Sequence, residues 1–203
     1  MRARMALHSS QTTCLLREVV LREKPASMLE ISPKGTVPVL QIDETHVLEE
    51  SLDIMLWALE QNDPENWLGE ESTLPQMKAL IADTQLQFKD HLDRYKYPGR
   101  YENVDPLFHR AEAMKFIARL EDQIGPKEFL FASKPMLADI AIFPFIRQFA
   151  NNDRDWFDAQ QNIKNAQDWL TRCLALPVFN EIMEKHSQWQ EGEAEVLFGA
   201  NSI

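Results

Sequence analysis

The chain has only two cysteines in 203 residues, Cys14 and Cys173, and neither stands in a CxxC pair or at metal-ligand spacing from a histidine. That excludes a disulfide framework, gives no zinc motif, and makes a reducing cytoplasm the expected location. Basic residues are also scarce: 21 lysines and arginines stand against 32 acidic residues, for a formal charge of −11. Nucleic acid and anionic membrane surfaces both require basic patches, so neither is expected as a partner. No apolar run approaches the roughly 18 residues of a membrane-spanning helix, and the N-terminal stretch lacks the apolar core of a signal peptide. Repeats and low-complexity tracts are missing too. What remains is the composition of a folded globular chain, 44% hydrophobic and 26% charged.

The opening "MRARMALHSS" has helical spacing, with Met1, Met5 and His8 on a face filled by Ala3, Ala6 and Leu7, and no capping residue ahead of it. "LLREVVL" at 15–21 has the pattern of a strand, and "KPASMLEI" that of a short helix begun by Pro25. "SPKGTVPVLQID" is a glycine turn followed by a strand, and "DETHVLEE" adds a second strand to make a hairpin. "SLDIMLWALEQN" is a strong helix with Ser51 in the cap position. Beyond Leu74 the pattern is helical, over 74–95, 105–125, 136–152 and 165–190, and the acidic tail after Gly192 is expected to fray. The order αβαββα followed by helices predicts an α/β or α+β unit at 1–70 and a helical unit at 71–203.

Four stretches can carry chemistry. Pro38 lies inside an apolar strand-like run, where it either begins an edge strand in trans or turns Val37 outward through a cis bond. Ser51 either caps its own helix or, with the free N–H groups there, holds a carboxylate, while Glu50 can receive an ammonium group. Lys24 is a surface lysine or the partner of a second carboxylate. In "DRYKYPGRY", Tyr95, Tyr97 and Tyr101 either line an apolar pocket with polar tips or staple the loop to the helices.

Together these pieces resemble the cytosolic glutathione S-transferases, closest to the omega class and its bacterial relatives. "KPASMLEISPKGTVPVL" and "VLEESLDIMLWAL" carry the likeness in the first half, "FLFASKPMLADIAIFPFIRQF" and "WFDAQQNIKNAQDWL" in the second. Lys24, Val37 and Glu50 follow one another at intervals of thirteen, the spacing of three glutathione contacts in omega-like members. The resemblance implies a thioredoxin-like N-terminal domain with an all-helical C-terminal domain, and glutathione as co-substrate without a metal. It implies that Val37–Pro38 is cis and that Val37 pairs with the cysteinyl backbone of glutathione. Glu50 and Ser51 would hold the γ-glutamyl end, Lys24 would lie near the glycyl carboxylate, and the three tyrosines would face a small electrophile. A homodimer is the family's usual state.

The resemblance also sets "MRARMAL" inside a helix that family members enter from a strand and a catalytic loop. On that match the first strand and the catalytic residue are expected ahead of Met1, the domain is truncated, and the catalytic residue is unknown; Cys14 lies past the helix and does not replace it. Met136 stands where relatives carry a capping serine or threonine, so Met136→Ser is expected to stabilise by about 1 kcal/mol. Asp139 has a structural role in this reading. The competing function is a non-catalytic interaction module built on the same fold.

Overall fold

Helix α1 (Arg2–Ser9) turns Ala3, Met5, Ala6 and Leu7 inward and packs on α3 (Ser51–Gln61), which answers with Ile54, Met55, Ala58 and Leu59. The interlock of two apolar faces at helical spacing is what fixes this pair. In the computed structural model, which describes residues 1–199, these helices belong to a unit formed by Met1–Glu65 and the stretch from Pro177 onward. Asn66–Leu176 form the second unit.

The first unit holds two small antiparallel sheets. Strands β2 (Leu40–Gln41) and β3 (Val47–Leu48) make the expected hairpin, with Leu40 opposite Leu48. Its turn is tied by Asp43, whose Oδ1 accepts from the Thr45 amide at 2.8 Å and the His46 amide at 2.9 Å. A short helix, α2 (Ala26–Ile31), begins behind Pro25. Strand β1 is only Cys14–Leu16, shorter than the run at 15–21 suggested; Val20 instead closes a tight bridge with Glu23.

The tail departs from expectation. Residues Val196–Phe198 form strand β4, antiparallel to β1, with Cys14 opposite Phe198 and Leu16 opposite Val196. The next residue, Gly199, has φ +91°, and a side chain there would run into the Thr12 carbonyl, so only glycine closes this ladder. The helix expected to reach residue 190 stops early, as α10 (Pro177–Glu181). Beyond it the chain extends along the first unit: the Trp189 amide donates to the Glu18 carbonyl at 2.9 Å, and Arg17 stacks on the Trp189 ring at 4.5 Å.

In the second unit, α4 (Leu74–Asp83) runs through a π-helical turn at Thr84–Lys89 into α5 (Asp90–Lys96). Helix α6 (Pro106–Ile124) starts on an Asp105 cap, whose carboxylate accepts from the Leu107 amide at 2.9 Å. Helix α7 (Leu137–Ala150) is buried almost end to end, including Pro144, and α8 (Arg154–Asp158) and α9 (Lys164–Leu174) complete the bundle. Asp139 organises its centre. Its Oδ1 accepts from the Leu130 amide at 2.9 Å and the Trp169 indole N–H at 2.7 Å, and its Oδ2 from the Met136 amide at 2.9 Å. Asp139 therefore closes the start of its own helix and anchors a loop and α9 besides. Burial pushes its carboxyl up to about 6 against the pull of these donors.

Candidate functional site

The loop between α2 and β2 carries the first functional group. The Val37–Pro38 bond is cis, as the resemblance implied, and Val37 is 46% exposed. Among the described residues, nothing hydrogen-bonds the Val37 N–H or C=O. Upstream, Gly35 turns the chain with φ +60°, and a side chain on it would press against Leu29 and Lys24, its Cβ 3.4 Å from the Lys24 Nζ. Lys24 thus lies over the turn that precedes Val37. Below the loop the buried Ser32 donates to the Glu49 carboxylate at 2.5 Å, which ties the loop to the chain leading into α3.

The second group is the start of α3. Ser51 is not the cap: Glu50 holds that position in extended conformation, and no side chain caps the helix. The first turn's N–H groups are therefore left without a side-chain acceptor, at the end of the helix where its dipole is positive. The Ser51 hydroxyl turns instead to Arg2, whose guanidinium donates to it at 3.3 Å. Arg2 is only 7% exposed, and burial lowers it to about 10 while the Glu50 charge pulls the other way. A cation held in the core beneath a helix start adds to that field. Glu50 projects outward into an ion pair with Lys34, which raises the lysine above its ordinary range.

The structure thus joins Glu50 and Ser51 to Arg2 and Lys34, and sets Lys24 beside the turn before Val37. Arg2 was missed by sequence reasoning, because its role depends on a partner 49 residues away. Its one available signal was an arginine on the first turn of a helix otherwise packed inward.

The glutathione S-transferase N-terminal domain family matches residues 1–67, and the glutathione S-transferase C-terminal domain family matches residues 78–176. The chain belongs to the cytosolic glutathione transferase family. Solved structures agree on the fold. Glutathione transferase Omega 3C from Trametes versicolor is 17% identical over 91% of this chain and 80% of its own, with a TM-score of 0.74. A glutathione transferase family member from Pseudomonas fluorescens, solved with two glutathione bound, is 18% identical over 89% and 86%, with a TM-score of 0.71. Poplar glutathione transferase F1 is 17% identical over 90% of each chain, at a TM-score of 0.69. No curated protein sequence matches this chain.

The three tyrosines lie in the helical unit. Tyr95 is buried, packed on Phe149 with ring centroids 5.2 Å apart. Tyr97 carries Arg100 over its ring at 4.0 Å, and Tyr101 carries Arg94 at 4.7 Å. Neither cysteine is an activated thiol: burial raises Cys14 and raises Cys173 further still. No described helix is long and apolar enough to cross a membrane.

Proposed function

We propose that this chain binds glutathione along the cis Val37–Pro38 loop and the start of α3. The open N–H and C=O of Val37 receive the cysteinyl backbone as a short strand pair. The γ-glutamyl carboxylate lies at the uncapped turn, against the Ser51 hydroxyl and the charge of Arg2, and its ammonium group takes Glu50. That displaces Lys34, which costs little, since the ion pair is exposed and screened by solvent. Lys24 meets the glycyl carboxylate. The observation that carries this reading is the pairing of an unclaimed Val37 backbone with an uncapped helix start backed by a buried arginine. The glutathione-bound Pseudomonas relative supports it by fold.

The bound thiol then reacts in one of two ways. Its sulfur attacks an electrophilic carbon, the leaving group departs with the bonding pair, and the thiol proton goes to solvent. Alternatively the thiolate attacks a mixed disulfide and releases the other thiol, as in a thiol transferase. The protein acts as a cytoplasmic homodimer. A second reading is a non-catalytic module of the same fold, in which neither Cys14 nor Cys173 supplies an activated thiol.

Retention on immobilised glutathione, lost on Ser51→Ala, is the expected result. Retention together with conjugation of an activated aryl halide, or reduction of a mixed disulfide, supports the enzyme. Retention without either supports the module, and no retention overturns the binding site.

A further inference from the structure

In the helical unit, His91 on α5 and His109 on α6 meet through their Nδ1 atoms, 2.7 Å apart, with ring centroids separated by 5.0 Å. Among the described residues this is the one hydrogen bond that either ring makes. In such a pair one ring donates its Nδ1–H and the other accepts on a bare Nδ1, with its own proton on Nε2. The same spacing suits a cis pair of metal ligands. At metal–nitrogen distances of about 2.0 Å, two ligands at right angles stand about 2.8 Å apart, whereas tetrahedral ligands stand about 3.3 Å apart.

We propose that His91 and His109 form a bidentate site for a divalent late transition metal, Cu²⁺ foremost, that clamps α5 to α6. On binding, the bridging proton moves through water from Nδ1 to Nε2 of its own ring. Both rings then coordinate as neutral imidazoles, and no electron transfer is involved. Carboxylates supply field rather than ligands. Both Glu112 oxygens are held by Lys115, at 2.7 and 2.8 Å, and Asp105 is engaged with the Leu107 amide. Arg94, paired with Asp90, opposes the cation. No three His, Cys, Asp or Glu side chains converge on a metal position among the described residues. Water therefore fills the remaining positions, which suits a tetragonal ion better than a closed zinc site.

The test is calorimetric titration of the full, untagged chain with Cu²⁺ and then Ni²⁺, alongside electron paramagnetic resonance of the Cu²⁺ form. One ion per chain is expected, with nitrogen coupling from two imidazoles. Affinity falls at least about tenfold in His91→Asn and in His109→Asn, while His46→Asn and His186→Asn leave it unchanged. The spectrum of the unmodified protein decides the matter if either site variant fails to fold. Unchanged affinity in the two site variants, no binding at all, or coupling from fewer than two imidazoles overturns the proposal.

Discussion

The starts of α3 and α7 solve the same problem in opposite ways. Each leaves its first N–H groups without intrahelical partners. At α7 the helix's own Asp139 accepts the Met136 amide and is locked further by Leu130 and Trp169. At α3 no side chain caps the helix, and the nearest hydroxyl, that of Ser51, is turned toward Arg2. One start is bonded by protein and buried, with the Leu137 amide also donating to the Trp67 carbonyl at 2.8 Å; the other has no side-chain cap and holds the Arg2 guanidinium at its Ser51 hydroxyl. The contrast separates a polar group that holds the fold from one that the proposed binding mode gives to a ligand.

The largest effect expected at the closed start is Asp139→Ala, which orphans three donors and costs about 3 kcal/mol or more. Urea denaturation measures it, and a loss below about 1 kcal/mol would break the contrast. Ser51→Ala reverses the pattern. Glutathione affinity drops about tenfold, equivalent to about 1.4 kcal/mol, while the denaturation midpoint moves little because no cap is removed. A stability loss as large as the binding loss would make Ser51 a structural residue after all.

Met136→Ser sharpens the comparison from the other side. A serine in the cap position would be expected to stabilise, but the Met136 side chain is 7% exposed and packs over Gly69. Deleting a buried methionine costs about 2–5 kcal/mol toward alanine, which outweighs the roughly 1 kcal/mol of a cap. Net destabilisation by at least about 1 kcal/mol is therefore expected from the same denaturation curves, and a midpoint above that of the parent would restore the capping argument.

The smallest effect is in pH. Asp139 is raised from 3.8 to about 6 in the fold, so its contribution to stability is fully present below about pH 4 and is lost as pH rises through about 6. Between about pH 5 and pH 7.5 the parent loses about 1 kcal/mol that Asp139→Asn does not lose. Parallel pH profiles for the two would show that the carboxyl does not titrate in this range.

Much of the candidate site was legible because its signals are local. Pro38 in an apolar run, Ser51 and the glutamates at a helix start, and the spacing of Lys24, Val37 and Glu50 all lie on the line of the sequence. Ser51 was displaced by one position because capping depends on where the side chain turns, and Arg2 sits within reach of it only in the fold. The hairpin and most helices were read from period and turn residues for the same reason. Strand β4 was not: three apolar residues in an acidic tail have no periodicity, and their partner lies near the other end of the chain. The His91–His109 pair was hidden likewise, since the crossing of α5 and α6 brings together residues 18 apart that match no ligand spacing.

The pairing of β4 with β1 also imposes an order in time. During synthesis Cys14–Leu16 emerge well ahead of their partners Val196–Phe198. At about 5–20 residues per second, the ribosome delivers that partner on the order of ten seconds later. Until then the backbone edge of β1 stands unpaired while the intervening helices can already fold. The unit that holds β1 and β4 is thus closed only after Asn66–Leu176 have been made, and Leu15 and Leu16 spend that interval as a strand edge within reach of a chaperone or of a neighbouring chain on the same message.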